Sequence, residues 1–477
     1  MSKPLREYTD PRVYDAYHKQ FQAAGLPNGQ AEWIERARQV AEILAQDAAQ
    51  RDIENKSPRA EVSLLKSAGL LKVLGPKKFG GGGEAWDTGY KLIREVAKGD
   101  GSLGMLLGYH LLWSTTANVV GTAEQAENVQ QVIIENNFVC SSSQALARKK
   151  GTIVADCLIK FVGGAVNPRD SDLKITSEGS NIVFNGFKNF NTGGVVSDLT
   201  VLEGVLEGTE DHIFTLVHTV QPGFQFAHNW DSIGLRLTES GSVKINNIKV
   251  PWTDALGWDA HTKRPLPDVL GIPFASLLLP TIQLVFSNFY LGIGQGALAA
   301  ASKYTTNGTR AWPFGGDNKD KATDEWYILE RYGAYRAHLQ AADALADRAG
   351  LELKALYAEA GQHGSSLLTD VHQTGYTNGY TNGVTKSGSR QSITAQRRGE
   401  LATLVASVKV VTTDTSLQVT SGIFEMLGAR ATGKKYGFDR FWRDVRTHTL
   451  HDPVAYKKRE VGRYQLLGEI PEPTWYT

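Results

Sequence analysis

Cysteine is nearly missing: Cys140 and Cys157 are the only two in 477 residues. Two thiols build neither a disulfide framework nor a cysteine-based zinc site, so a staple-dependent secreted domain is not expected, and a reducing, cytosolic compartment suits the chain. An excess of either charge is lacking as well. Lysine and arginine number 51 against 50 aspartates and glutamates, a formal net charge of +1. No global field therefore recruits nucleic acid or an anionic membrane, and ligand selectivity has to be local. The stretch Met1–Arg12 is polar and has no apolar segment of the signal-peptide kind. One uncharged run does occur, between Asp268 and Lys303, and by length alone it could cross a bilayer. It contains Pro273, Pro280, Gln283, Asn288 and Gln295, which suit a helix buried inside a bundle better than a lipid-facing span, so no membrane partner is expected.

Apolar spacing supplies the architecture. Ile34, Ala37, Val40, Ala41 and Leu44 recur at helical intervals, as do Val62, Leu65, Ala68 and Leu71, and the first third of the chain reads as helices. The glycines of Phe79–Gly83 interrupt it. No P-loop lysine and helix follow them, so a mobile turn is expected rather than a phosphate cradle. Short β-rich runs come next, at Ile182–Phe184, Leu199–Leu202, Ile213–Val217 and Val243–Ile245, separated by turn residues in the manner of an antiparallel sheet or barrel. After Pro251 long helical patterns return, at Leu277–Tyr304, Thr323–Ala360 and Ser392–Leu427. The expected class is α+β: an N-terminal all-α domain over 1–148, a β-barrel-like domain over 149–258 and a C-terminal helical bundle over 259–477. Within the bundle, 361–392 is rich in Gly, Ser, Thr and Asn and repeats Gly-Tyr-Thr-Asn-Gly. Such a segment buries too little apolar surface to offset its ordering entropy, and a flexible insertion is expected there.

Four motifs point to one family. They are the run from Phe184 to Gly193 with Ser197-Asp198; Gly234-Leu235-Arg236 with Ser240-Gly241-Ser242; Tyr304-Thr305 with Arg310 and Trp312; and Gly428-Ala429-Arg430 leading to Arg443-Asp444. Together they resemble the acyl-CoA dehydrogenase superfamily over nearly the whole chain. A narrower likeness, to the flavin-dependent monooxygenases of the dibenzothiophene monooxygenase type, rests on Gly99–Gly104, Gly108–Leu111, Gln283–Asn288 and above all Tyr436–Lys457.

The resemblance implies a protein that binds FMN, with FAD as the alternative, and receives it reduced from a separate NAD(P)H-dependent flavin reductase. A C4a-hydroperoxyflavin would then oxygenate a small organic substrate at sulfur or, failing that, at an amine nitrogen. Phe190, Thr192 and Trp230 are placed by the likeness around the isoalloxazine, with Thr192 able to donate a hydroxyl bond to the ring edge. Arg310 and Arg430 are the phosphate candidates, because a guanidinium grips phosphate bidentately. Ala429 and Ser142 complete the cofactor-facing set. Phe424 stands where the dehydrogenases carry a glutamine for the longer dinucleotide, which favours FMN. Family precedent also implies a homotetramer in which Arg310 meets a neighbour's cofactor.

The segment Thr447–Pro453 separates two oxidation chemistries. A thioester dehydrogenase needs a carboxylate base beside the substrate α-carbon. Leu450-His451-Asp452-Pro453 occupies that place here. A histidine suits oxygen activation better, since an imidazole exchanges protons near neutral pH. His451 is therefore the expected catalytic residue, with Tyr109 and Thr192 as hydrogen-bonding partners. The rival is an acyl-CoA dehydrogenase with FAD and Asp452 as base; a flavin-free packing scaffold is the non-enzymatic alternative. His448 and His451, three apart, resemble a metal pair, but no third ligand at fitting spacing accompanies them, and no metal is expected. Ser141-Ser142-Ser143 and Met105 replace an asparagine and a histidine of the family pattern, so the pocket is expected to differ in shape.

Overall fold

The computed structural model describes residues 7–134, 159–165, 172–271, 273–314, 319–360, 390 and 393–474. Seven helices come first: α1 (Asp15–Ala24), α2 (Gln30–Ala45), α3 (Ala48–Glu54), α4 (Arg59–Ser67), α5 (Trp86–Gly99), α6 (Gly101–Val120) and α7 (Ala123–Ile134). In α2 the buried face is Trp33, Ala37, Val40, Ala41 and Leu44, the 3.6-residue stripe legible in the sequence. Helix α6 differs, since all 20 of its residues are buried. Asp100 caps it by accepting from the amides of Ser102 and Leu103, satisfying two donors that a buried helix end cannot leave open.

The glycine tract between α4 and α5 is not a mobile turn. The amides of Gly81, Gly82 and Gly83 donate to the carbonyls of Pro76, Lys72 and Gly75, and a Cβ on Gly81 would lie 2.2 Å from the Gly75 oxygen. Glycine is required there for close backbone packing, a use that composition alone does not distinguish from flexibility.

Strands β1 (Val162–Ala165), β2 (Lys174–Glu178), β3 (Asn181–Lys188), β4 (Leu199–Val205), β5 (His212–His218), β6 (Phe224–Phe226) and β7 (Val243–Pro251) form two open sheets, ordered β1-β4-β5 and β2-β3-β7-β6. They share a core of Ile175, Ile182, Phe184, Leu202, Ile213, Ile245 and Val250, and a bridge between Ile175 and Leu206 joins them at one corner. Pairing is antiparallel except for β1 with β4. The intervening β2–β3 hairpin belongs to the other sheet, so the chain returns to β4 by a crossover, and a crossover produces a parallel neighbour. A short hairpin, β8 (Trp258–Asp259) and β9 (Arg264–Pro265), leads into α8 (Pro267–Leu270).

The rest is a bundle of α9 (Leu278–Gly308), α10 (Trp326–Glu359), α11 (Ala395–Leu427), α12 (Phe438–His448) and α13 (Val454–Leu467). Helix α9 carries the long uncharged run. Of its most apolar stretch 89% is buried within the bundle, so it is a core helix packed on all sides by its neighbours, with Pro280 tolerated in the first turn where no amide partner is lost. The insertion expected over 361–392 lies, apart from Arg390, outside the described residues.

Candidate active site

One face of α6 organises the site. Ser102, Leu106, Tyr109 and Trp113 recur at helical intervals and point the same way. Ser102 Oγ accepts from the Leu237 amide at 3.4 Å. Leu106 packs under Gly193, Trp113 lies against Gly164 of β1, and the Gly164 amide donates to the Thr192 carbonyl at 3.1 Å. The same helix thus touches the loop that crosses from β3 to β4 and, through Tyr109, the C-terminal bundle.

In that loop Phe190 adopts φ +56°, and its ring, 50% exposed, meets Trp230 edge-on at 6.4 Å. A large aromatic held half-open in a left-handed conformation stays there only because its surroundings fix it, and it leaves a ring face accessible. Trp230 is fixed by its Nε1–H donating to the Leu235 carbonyl at 2.8 Å. Leu235 is tied in turn to α12, its amide donating to Asp444 Oδ1 at 2.6 Å. Burial, and then the neighbouring Asp52 charge, push the Asp444 carboxyl up to about 7. Thr192 is buried, its hydroxyl 2.9 Å from Ser240, which lies 2.7 Å from Thr238. Thr238 donates to the Leu235 carbonyl. The run is fully satisfied when Thr192 donates to Ser240 and Ser240 to Thr238, which leaves the Thr192 oxygen as an acceptor; the donor role expected of it requires the run to reverse.

The end of α12 and the turn before Pro453 carry the histidines. His448 is buried between Tyr290, whose hydroxyl is 2.6 Å from Nδ1, and Tyr109, whose hydroxyl is 3.3 Å from Nε2. Phe286 and Phe289 close around it with ring centroids at 4.5 and 4.9 Å. Burial first, then the His451 ring and the Lys409 charge, drive His448 well below the usual imidazole range, so it is neutral. The His451 ring lies parallel to it at 5.1 Å but is 43% exposed, with Nδ1 3.0 Å from Asp452 Oδ1. Asp452 Oδ2 accepts from Lys409 Nζ at 2.7 Å. Burial alone would raise the Asp452 carboxyl; the His451 hydrogen bond and the Lys409 charge outweigh it and hold the group well below the carboxylate range. Burial and the Asp452 charge raise the Tyr109 hydroxyl, which stays protonated.

The structure therefore gathers Tyr109, Phe190, Thr192, Trp230 and His451 around α6 and α12. It places Arg310, Ala429 and Arg430 elsewhere. All three are exposed, and the Thr309 hydroxyl reaches the Leu427 carbonyl, so they share the far end of α9. Arg310 lies just beyond the end of α9, whose span from Tyr290 to Gly308 is roughly 27 Å at 1.5 Å per residue. Ser142 lies outside the described residues. The sequence reading passed over Tyr290 and Lys409 and treated His448 only as a mock metal ligand. Lys409 did leave a signal: it is the sole charge between Glu400 and Asp414.

Comparison with known proteins accords with this geometry. Residues 28–136 match the acyl-CoA dehydrogenase N-terminal domain family and residues 384–455 match the acyl-CoA dehydrogenase C-terminal domain family. The chain is 34% identical to dibenzothiophene monooxygenase of Rhodococcus erythropolis over 446 residues, covering 92% of this chain and 94% of that protein. It is 30% identical to a probable FMNH2-dependent monooxygenase of Pseudomonas putida, covering 92% and 96%. FMN-bound TdsC of Paenibacillus sp. A11-2, a dibenzothiophene monooxygenase, superposes with a TM-score of 0.75 at 31% identity over 93% of this chain and all of that one. With helices flanking two β-sheets, the α6 face joined to the loop after β3, and 34% identity along nearly its full length, the chain belongs to the flavin-dependent monooxygenase branch of the acyl-CoA dehydrogenase superfamily.

Proposed function

We propose that this protein is the oxygenase half of a two-component system, acting in the cytosol on a small organosulfur compound, with amine nitrogen as the second choice of acceptor atom. FMN, delivered reduced by a separate NAD(P)H-dependent reductase, supplies the two electrons that let one atom of O2 enter the substrate while the other leaves as water. The residues present fit that group. Phe190 and Trp230 offer a half-open aromatic corner, and the buried Trp113 Nε1 beside Gly164 has no partner among the described residues. Arg310 and Arg430 would grip the phosphate. Their separation from His451 within one chain supports a site completed by a neighbouring copy in a homotetramer.

The observation that carries the reading is the open His451 ring backed by the closed His448 and Tyr109. His451 holds or yields a proton at the cleft. Phe286 packs against its ring at 5.4 Å, and Phe286 with Phe289 keeps water from the His448 ring behind it, which strengthens the hydrogen bonds of that ring. Asp452 does not serve as a base, because both its oxygens are engaged. The test is to combine the protein with a flavin reductase, NADH, FMN and air, and to look by mass spectrometry for one added oxygen on dibenzothiophene and simpler sulfides. His451→Ala should abolish product and leave FMN binding intact; equal turnover by the variant removes His451 from the reaction.

A further inference from the structure

A buried ammonium is costly unless a carboxylate in good geometry compensates it, and an apolar residue of similar length generally serves packing as well. Lys409 on α11 is such an ammonium. Its side chain is 1% exposed, and its nitrogen sits 5.6 Å from the centroid of the Phe286 ring while donating to Asp452 Oδ2. Packing does not account for a lysine here; the carboxylate it holds does. Asp452 turns its other oxygen to His451 Nδ1. An ionised carboxylate only accepts, so Nδ1 carries the hydrogen and Nε2 is left as the nitrogen that exchanges a proton. The parallel His448 ring fixes the plane in which this happens.

We infer that Lys409 is a positioning residue: it anchors Asp452, and through Asp452 it sets the tautomer and orientation of His451. The inference rests on the reading of His451 as the proton-handling group of the site. Around this pair stand Tyr109 from α6, Tyr290 from α9, His448 from α12, and Lys457 with Glu460 from α13. The two tyrosines and His448 are neutral, and Lys457 is paired to Glu460 at 2.7 Å. Lys409 is therefore the cation that balances Asp452. Without it, Asp452 loses the anchor that holds its other oxygen on His451 Nδ1.

Lys409→Met keeps the length and removes the charge; Asp452, 36% exposed, then turns to water, so the fold is not at risk. Lys409→Arg keeps the charge and serves as the rescue variant. In the reconstituted assay Lys409→Met should lower product formation about tenfold or more, part of the roughly 10²–10⁴-fold that a whole acid–base contribution carries, because His451 itself remains. It should also release more hydrogen peroxide per NADH. Lys409→Arg should restore most of each. The readout independent of turnover is the 15N-histidine spectrum of the full-length protein, with the His451 signals identified by their loss in His451→Gln. Wild type and Lys409→Arg should show the Nδ1-protonated tautomer, and Lys409→Met a mixture. An unchanged tautomer in Lys409→Met overturns the inference, as does loss of turnover that Lys409→Arg fails to rescue. Full activity of His451→Ala would instead sink the functional reading, and the spectra would still decide the role of Lys409.

Discussion

The imidazoles of His448 and His451 lie parallel, 3° apart in plane, yet one is sealed and the other open. A three-residue separation across the end of α12 stacks the rings, while the turn before Pro453 lifts the second toward solvent. The sealed ring is structural support for the open one. Both its nitrogens are engaged by tyrosine hydroxyls.

His448→Phe keeps an aromatic in that slot but strands the Tyr109 hydroxyl, because Tyr290 retains the residue-448 carbonyl at 3.3 Å. A stranded buried hydroxyl plus the lost bonds should cost about 2–4 kcal/mol in urea unfolding, and Tyr290→Phe, which strands the buried His448 Nδ1, about 1–3 kcal/mol. Equal stability of His448→Phe and wild type would mean these bonds contribute nothing net.

His110 predicts an acid-sensitive seam between α6 and β1. Its Nδ1 accepts from the Val162 amide at 3.1 Å, and Nε2–H donates to the Leu71 carbonyl at 3.0 Å. Burial, only partly opposed by the Leu71 bond, lowers its pKa from 6.5 to about 4. The folded state thus prefers the neutral ring. Its contribution is fully present above the unfolded value and is lost as pH falls through the folded one. The difference in unfolding free energy between wild type and His110→Gln should therefore shrink between pH 6.5 and 4; a constant difference across that window refutes the assignment.

Gly81→Ala tests the packed reading of the glycine tract. Its Cβ would press on the backbone oxygen of Gly75, and backbone cannot rotate away, so a loss of about 2–4 kcal/mol is expected. Gly333→Ala is the control: it lies exposed in α10 with nothing within 4 Å of its Cβ and should gain up to about 1 kcal/mol from helix propensity.

That contrast marks how far the sequence could be read. Amphipathic stripes such as Trp33 to Leu44, and β-rich runs such as Ile213–Val217, became helix and strand because one face had to be buried. The Tyr436–Lys457 run placed His451 and Asp452 in one turn. What stayed hidden depends on tertiary proximity. Nothing local says that the Gly81 Cβ would strike Gly75, that Lys409 lies 43 residues before the aspartate it pairs with, or that Tyr290 faces His448. The flavin and phosphate roles proposed for Phe190 and Arg310 come from resemblance alone, because an exposed aromatic and an exposed arginine have no periodicity of their own.

Asp452 gives a direct test against the dehydrogenase alternative. A base must take a proton, but this carboxylate is held ionised and occupied by Lys409 and His451. Anaerobic addition of acyl-CoA thioesters to flavin-loaded protein should leave the flavin absorbance unchanged. Bleaching would restore Asp452 as a base and displace the oxygenase reading.

The placement of Arg310 leads to a complementation experiment. Arg310 lies just past the end of α9, whose run from Tyr290 to Gly308 is roughly 27 Å by the helical rise, so the proposed phosphate grip sits at the far end of that helix from the Tyr290–His448 contact. If each site takes His451 from one copy and Arg310 from a neighbour, neither Arg310→Ala nor His451→Ala alone should turn over substrate. Co-expressed and co-assembled, the two variants should recover activity, because a site built from the arginine variant's histidine and the histidine variant's arginine is intact. With equal mixing about a quarter of the sites in a closed symmetric assembly meet that condition. Arg310 acting within its own chain leaves no intact site in the mixture, so an inactive co-assembly would place the phosphate grip in the same copy as His451.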